Sequence, residues 1–253
     1  MLKLIIITIS IGLASTTVYN YCSHNLCSLT EYKHITCTAT GDLSPSCSSN
    51  AQIIDLTGAD KKKILDLHNR YRNRIANGDE SGFSSAAKMA TLEWDDDLAD
   101  YAGLNVRRCR DEHDCHNTPE MKYSGQNLFF EAKTDTFERD ISSFIDSAFQ
   151  SWWDERTSAS QDDINSCCGA PGKIPHFLMV VSDRANRVGC ALSQYEGPYG
   201  KTTYIACNYS FTIITGQAVY ETGEPASKCQ TGANAKYPAL CSSQEEVDPN
   251  KVF

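Results

Sequence analysis

Twelve cysteines constrain this chain more than any other feature. Structural cross-links in that number belong to an oxidising compartment, where an even count allows every thiol to pair. The start of the chain agrees. Met1-Leu2-Lys3 precedes an apolar run from Leu4 to Leu13, with small residues at Gly12, Ala14, Ser15, Thr16 and Thr17, and residues 1–17 read as a secretory signal peptide. The run is shorter than the roughly 20 residues that a membrane-spanning helix needs. No later stretch is long or apolar enough, so a secreted, extracellular protein without a transmembrane segment is expected. A formal charge of −9 argues against nucleic acid or an anionic membrane surface as the main partner.

Residues 18–56 carry Cys22, Cys27, Cys37 and Cys47 among Ser, Thr, Asn, Gly and Pro, without apolar periodicity. They read as an extended arm stapled by disulfides. Helix signals begin near Thr57: Ile64, Leu67, Tyr71 and Ile75 recur at three- and four-residue steps, and Asn77-Gly78 stops them. After a Gly/Ser-rich loop, a second helix runs through Asp95-Asp96-Asp97-Leu98-Ala99-Asp100-Tyr101-Ala102, its aspartates at the favourable end of the helix dipole. A third spans 136–155, with Phe137, Ile141, Phe144, Ile145, Ala148 and Trp152 on one face. Strand signals cover 177–181, 187–192 and 202–209; the last two flank a turn at Glu196-Gly197-Pro198-Tyr199-Gly200, which sets Cys190 near Cys207 across a hairpin. Helices first and antiparallel strands later predict an α+β layered domain. The tail is turn-rich and holds Cys229 and Cys241.

Three polar residues stand in distinctive contexts. His113 lies in Cys109-Arg-Asp-Glu-His113-Asp114-Cys115, Glu155 closes Trp152-Trp153-Asp154-Glu155, and His176 opens His176-Phe177-Leu178-Met179. Gly125-Gln126-Asn127-Leu128 falls between the first two. Their order points to one polar cavity assembled from distant segments.

With Leu67-His68-Asn69-Arg70-Tyr71-Arg72, Met89-Ala90-Thr91-Leu92-Glu93-Trp94-Asp95, Val188-Gly189-Cys190 and Cys207-Asn208-Tyr209, these contexts make a series. It resembles that of the CAP superfamily of cysteine-rich secretory proteins, antigen 5 and pathogenesis-related proteins. The four N-terminal cysteines and the tail from Pro225-Ala226-Ser227-Lys228-Cys229 to Leu240-Cys241 resemble the insect antigen 5 branch, whose members are venom allergen-like, and the tail is similar to that of fly salivary members.

The resemblance implies a disulfide-rich, three-layer α-β-α sandwich with a short antiparallel sheet. It implies a CAP domain over 57–215 and a C-terminal extension over 216–253. It also implies the pairs Cys22–Cys37, Cys27–Cys115, Cys47–Cys109, Cys190–Cys207 and Cys229–Cys241. Cys167 and Cys168 are left over, either bonded to each other or free. Two histidines and two acidic residues converge in the family's cleft; His113, Glu155 and His176 match three of them, and Gln126 occupies the fourth position. A neutral amide there can hydrogen-bond but cannot act as a general base. Two imidazoles and a carboxylate suit weak binding of zinc or copper.

The function implied is that of a salivary or venom binding protein. Its partner would be a divalent metal, a host protein, or a small hydrophobic ligand such as a lipid or eicosanoid. Phe137, Ile141, Phe144 and Ile145 would line a channel for such a ligand or, as an ordinary amphipathic stripe, simply pack. The alternatives are a metal-dependent hydrolase or protease using the His/Glu cavity, and a protein that engages a host through its surface loops. Ser124 and Ser182 flank the motifs, but neither stands in a nucleophile turn, so no catalytic residue is assigned. Asn208-Tyr209-Ser210 is a candidate glycosylation acceptor. Thr40-Gly41-Asp42 reads as an ordinary turn, because threonine stands where an integrin-binding motif needs arginine.

Overall fold

The arm is not one extended segment. In the computed structural model, which describes residues 20–23, 25–28, 30, 32–134, 140–168 and 174–252, it folds into single 3-10 turns at Tyr21–Ser23, Asn25–Cys27 and Ile35–Cys37. The expected signal peptide over 1–17 and Phe137 lie outside the described residues. Disulfides Cys22–Cys37, Cys27–Cys115 and Cys47–Cys109 tie the arm to itself and to the segment around His113. The arm ends in strand β1 (Gln52–Ile54) and leads into helix α1 (Gly58–Ala76). Helix α1 starts where Thr57 and Asp60 cap each other reciprocally, and it stops before Gly78, whose φ of 77° suits glycine.

Strands β2 (Ala86–Lys88) and β3 (Glu93–Trp94) come next, then helix α2 (Asp96–Val106), where Asp95 accepts a hydrogen bond from the Leu98 N–H. Strand β4 (Gly125–Lys133) carries no clear signal in the sequence. Its apolar residues face helices on both sides of the sheet: Phe129 meets Phe144, whereas Leu128 joins the cluster around α2. A strand covered on both faces lacks the alternation that marks a half-buried one. Helix α3 (Ile141–Asp154) begins at Ile141 rather than at 136, because Asp140 is extended and caps the Ser143 N–H.

Helices α4 (Gln161–Asn165) and α5 (Pro175–Val180) lead to strands β5 (Arg187–Gly197), β6 (Gly200–Tyr209) and β7 (Glu221–Thr222). The expected strand at 177–181 is therefore a helix over most of its length. Its residues are buried on every side, so periodicity cannot separate helix from strand there. What decides is local chemistry. Pro175 sits in the first turn, where its missing N–H is harmless. At the other end, Arg72 collects the orphaned carbonyls. This fully buried guanidinium donates to Val180 O and Ser182 O at 2.9 and 2.6 Å, to Ala185 O at 3.0 Å and twice to Ala90 O. Burial lowers its pKa to about 10.

The main sheet has the order β1-β5-β6-β4, with β3 added parallel to β5 and the other pairs antiparallel; β2 and β7 form a separate ribbon. Side-chain alternation splits the core. Val188, Cys190, Leu192, Ile205, Cys207 and Tyr209 pack with Ile64 and Leu67 of α1 and Phe144, Ile145, Ala148 and Trp152 of α3. Leu128, Tyr204 and Ala206 pack with Ala102 and Val106 of α2 on the opposite face. The result is a three-layer α-β-α sandwich. Gly189 sets how closely α2 lies on β5: a Cβ there would fall 2.2 Å from the Ala99 nitrogen. Phe144 and Ile145 are filled core, so at these positions the apolar stripe of α3 is packing. Among the described residues no helix is long and apolar enough to cross a membrane.

Candidate functional site

Two neighbouring residues at the start of β4 reach opposite faces of the sheet and hold the two histidines. Gln126 accepts from His113 Nδ1 at 2.9 Å, and Asn127 donates to the His176 carbonyl at 3.1 Å. Gly125 is required just before them, since a Cβ would lie 2.5 Å from Met179 Sδ and 2.8 Å from Phe211 O.

The orientation of Gln126 follows from its other contacts. Its Nε2 donates to Asp114 Oδ2 and to Asn208 Oδ1, both at 2.9 Å, while Asn208 Nδ2 donates to Leu98 O at 3.2 Å. Its Oε1 must then face His113, so His113 Nδ1 is the donor and, in the neutral tautomer, the lone pair sits on Nε2. Asp114 supplies the negative charge that position 126 lacks. Its side chain is buried and accepts from Asn105 at 2.5 Å and from His116 Nδ1 at 2.9 Å, besides Gln126. Burial opposes the charge, but the His116, Gln126 and Asn105 bonds outweigh it and hold the carboxyl below the usual range.

The second histidine is fixed from the far side. Glu155 Oε1 accepts from His176 Nδ1 at 2.6 Å, and its Oε2 accepts from the Phe177 N–H at 3.0 Å. Both carboxylate oxygens are thus committed. Trp152 stacks near the His176 ring, with centroids 6.3 Å apart. Asp111 lies within electrostatic reach of both His113 and His176; burial raises its pKa, and the two imidazoles act the other way.

His113, His116, Gln126, Asn127 and His176 line one cleft of about 270 Å3, with Met179 and the arm's Tyr32 on its wall. The four residues singled out by sequence divide into two hydrogen-bonded pairs, Gln126 with His113 and Glu155 with His176. Among the described residues no three His, Cys, Asp or Glu side chains are grouped to hold a metal. What the cleft offers is two Nε2 atoms whose rings are oriented through Nδ1.

Asp114, His116 and Asn127 take part without having been signalled. Asp114 beside His113 and Asn127 beside Gln126 were visible as polar neighbours of motif residues. The inward turn of His116, whose buried Nε2 has no partner, was not. Asn208 changes role: its side chain is fully buried within β6 and both ends of its amide are hydrogen-bonded, so the folded chain has no room for a glycan there. The structure bonds Cys167 to Cys168, and with Cys190–Cys207 and Cys229–Cys241 all twelve cysteines are paired.

A family model described as the cysteine-rich secretory protein family matches residues 65–209. The chain is 36% identical to "Venom allergen-1" of Aedes albopictus, over 96% of this chain and 94% of that protein. It is 38% identical to "Antigen 5 like allergen Cul n 1" of Culicoides nubeculosus, over 70% of this chain and 84% of that one. Among solved structures it is similar to BmVAL-1, with a TM-score of 0.64 and 22% identity over 74% of this chain and 95% of that one. It is also similar to NaASP2, solved with Zn2+, with a TM-score of 0.61 and 24% identity over 78% of this chain and all of the other. At such identities the structures speak for the fold alone. The sandwich, the paired motifs and these matches together place the chain in the cysteine-rich secretory protein (CAP) family, as an antigen 5-like, venom allergen-like member.

Proposed function

We propose that this chain is a secreted binding protein, a venom or salivary component, whose central cleft holds a zinc or copper ion weakly through Nε2 of His113 and His176. The observation that carries this reading is the shared anchoring of the two rings, each donating Nδ1–H to a backing oxygen, on Gln126 or on Glu155. Metal-ligating histidines characteristically use their second nitrogen in this way, which fixes tautomer and ring direction. Two protein donors, with water completing the shell, make a low-affinity site. Glu155 serves as orienting group here, because both of its oxygens are engaged.

Binding is favoured over catalysis by the chemistry of the neighbours. Gln126 has no basicity, the cysteines are in disulfides, and the Ser124 hydroxyl donates to Asn117 rather than to a histidine. The relatives named as venom allergen and antigen 5-like allergen support the assignment to venom or saliva. Imidazole NMR tests the site. On zinc titration the Nε2 resonances of His113 and His176 should move together, while those of the core histidine His68 stay fixed; unmoved His113 and His176 would refute the reading.

A further inference from the structure

We propose that a second cleft, between the arm and the end of α2, binds sulfate esters of an extracellular glycan. Arg107, Arg108 and Arg110 follow α2 within four positions. Cys109, between them, takes a left-handed φ of 53° and is bonded to Cys47 of the arm, which fixes this turn in place. The arm brings Lys33 to the same cleft of about 350 Å3, whose remaining charged wall is Asp42 and Asp114.

The charges do not cancel. Asp114 spends its carboxylate inward, on His116, Gln126 and Asn105. Glu112 is shared by two guanidiniums, Arg108 at 2.6 Å and Arg110 at 3.5 Å, so most of their N–H donors are left over. Arg107 gives one N–H to Gly103 O at 2.8 Å. A cationic cleft in a chain of formal charge −9 is a local exception that solubility does not call for. Guanidinium forks match tetrahedral oxyanions, which they bind bidentately. The face of the half-exposed Tyr32 and the hydroxyls of Thr38 and Ser44, on the same wall, suit a sugar ring. The volume lies at the lower end of small-ligand sites, enough for one or two sugar units. Outside the cell, the polyanion with this chemistry is sulfated polysaccharide.

Calorimetry of the disulfide-bonded protein with a heparin-derived hexasaccharide tests the site. Wild type should bind the sulfated sugar, and affinity should fall about tenfold or more when salt is raised. Lys33→Ala/Arg110→Ala, which changes two exposed side chains, should weaken binding about tenfold or more while near-UV dichroism stays native. His176→Ala, in the other cleft, should bind the sugar as wild type does. The proposal is overturned if wild type gives no heat, if the desulfated hexasaccharide or inorganic sulfate binds equally well, or if the folded double variant binds unchanged.

Discussion

Glu155 holds His176 and the next residue at once: one oxygen accepts the imidazole Nδ1–H at 2.6 Å, the other the Phe177 N–H at 3.0 Å. A single carboxylate therefore sets both the ring and the first turn of α5. Glu155→Gln keeps the shape but leaves one donor facing another donor. The variant should lose about 1–3 kcal/mol of stability, read as a lower Tm. Its zinc affinity should fall roughly 10- to 100-fold, the usual effect of removing an orienting partner.

Gln126 is matched to Asp114 by hydrogen bonding, and a carboxylate in its place would meet Asp114 Oδ2 and Asn208 Oδ1 at the positions where the amide now donates. In Gln126→Glu the new carboxyl is pushed to ionise late. An acid whose folded pKa is raised is tolerated below its unfolded pKa and loses stability as pH rises through the folded one. The deficit of the variant against wild type should therefore grow between about pH 5 and about pH 8 in denaturant melts. A deficit that shrinks over that window would show that position 126 does not face a buried negative charge.

Arg72 satisfies four main-chain carbonyls from a fully buried position. Arg72→Met fills a similar volume and abandons all four, a change of roughly 3–5 kcal/mol. Because Val180 O ends α5 and Ser182 O lies in the turn that follows it, hydrogen exchange should quicken around 175–182 ahead of the rest of the chain.

His68 is fully buried, with Nδ1 on Ile64 O and Nε2 on the Tyr209 hydroxyl, both at 2.9 Å. Burial lowers its pKa to about 3. The unfolded chain then binds a proton that the folded chain refuses, and stability falls as pH drops from about 6.5 towards 3, by about 1.4 kcal/mol per unit. His68→Gln should be less stable than wild type at neutral pH, and the difference should narrow steadily on acidification.

Legibility in the sequence followed the physics of each segment. Thr57 and Asn77-Gly78 bound α1 in the sequence because caps are local. The β5–β6 hairpin was readable from its turn and its β-branched and aromatic runs. The segment 177–181 reads as a strand in sequence, because a helix buried on all sides has no polar face to show its period, and the partners that fix its ends, Arg72 and Glu155, lie far away in the chain. Strand β4 carries no clear signal for the same reason, being covered on both faces. At the cleft, His113, Gln126, Glu155 and His176 were found from their contexts. That Glu155 is an orienting group, and that Asp114 carries the charge missing at Gln126, depends on the β4–β6 register, where Gln126 faces Asn208.

The most direct test is zinc calorimetry on the mature, disulfide-bonded protein beside His113→Ala and His176→Ala. Wild type should show weak one-to-one binding, and each single variant should abolish it while its near-UV dichroism stays native. Negligible heat with wild type, or equal heat with all three proteins, would contradict metal binding at the paired histidines.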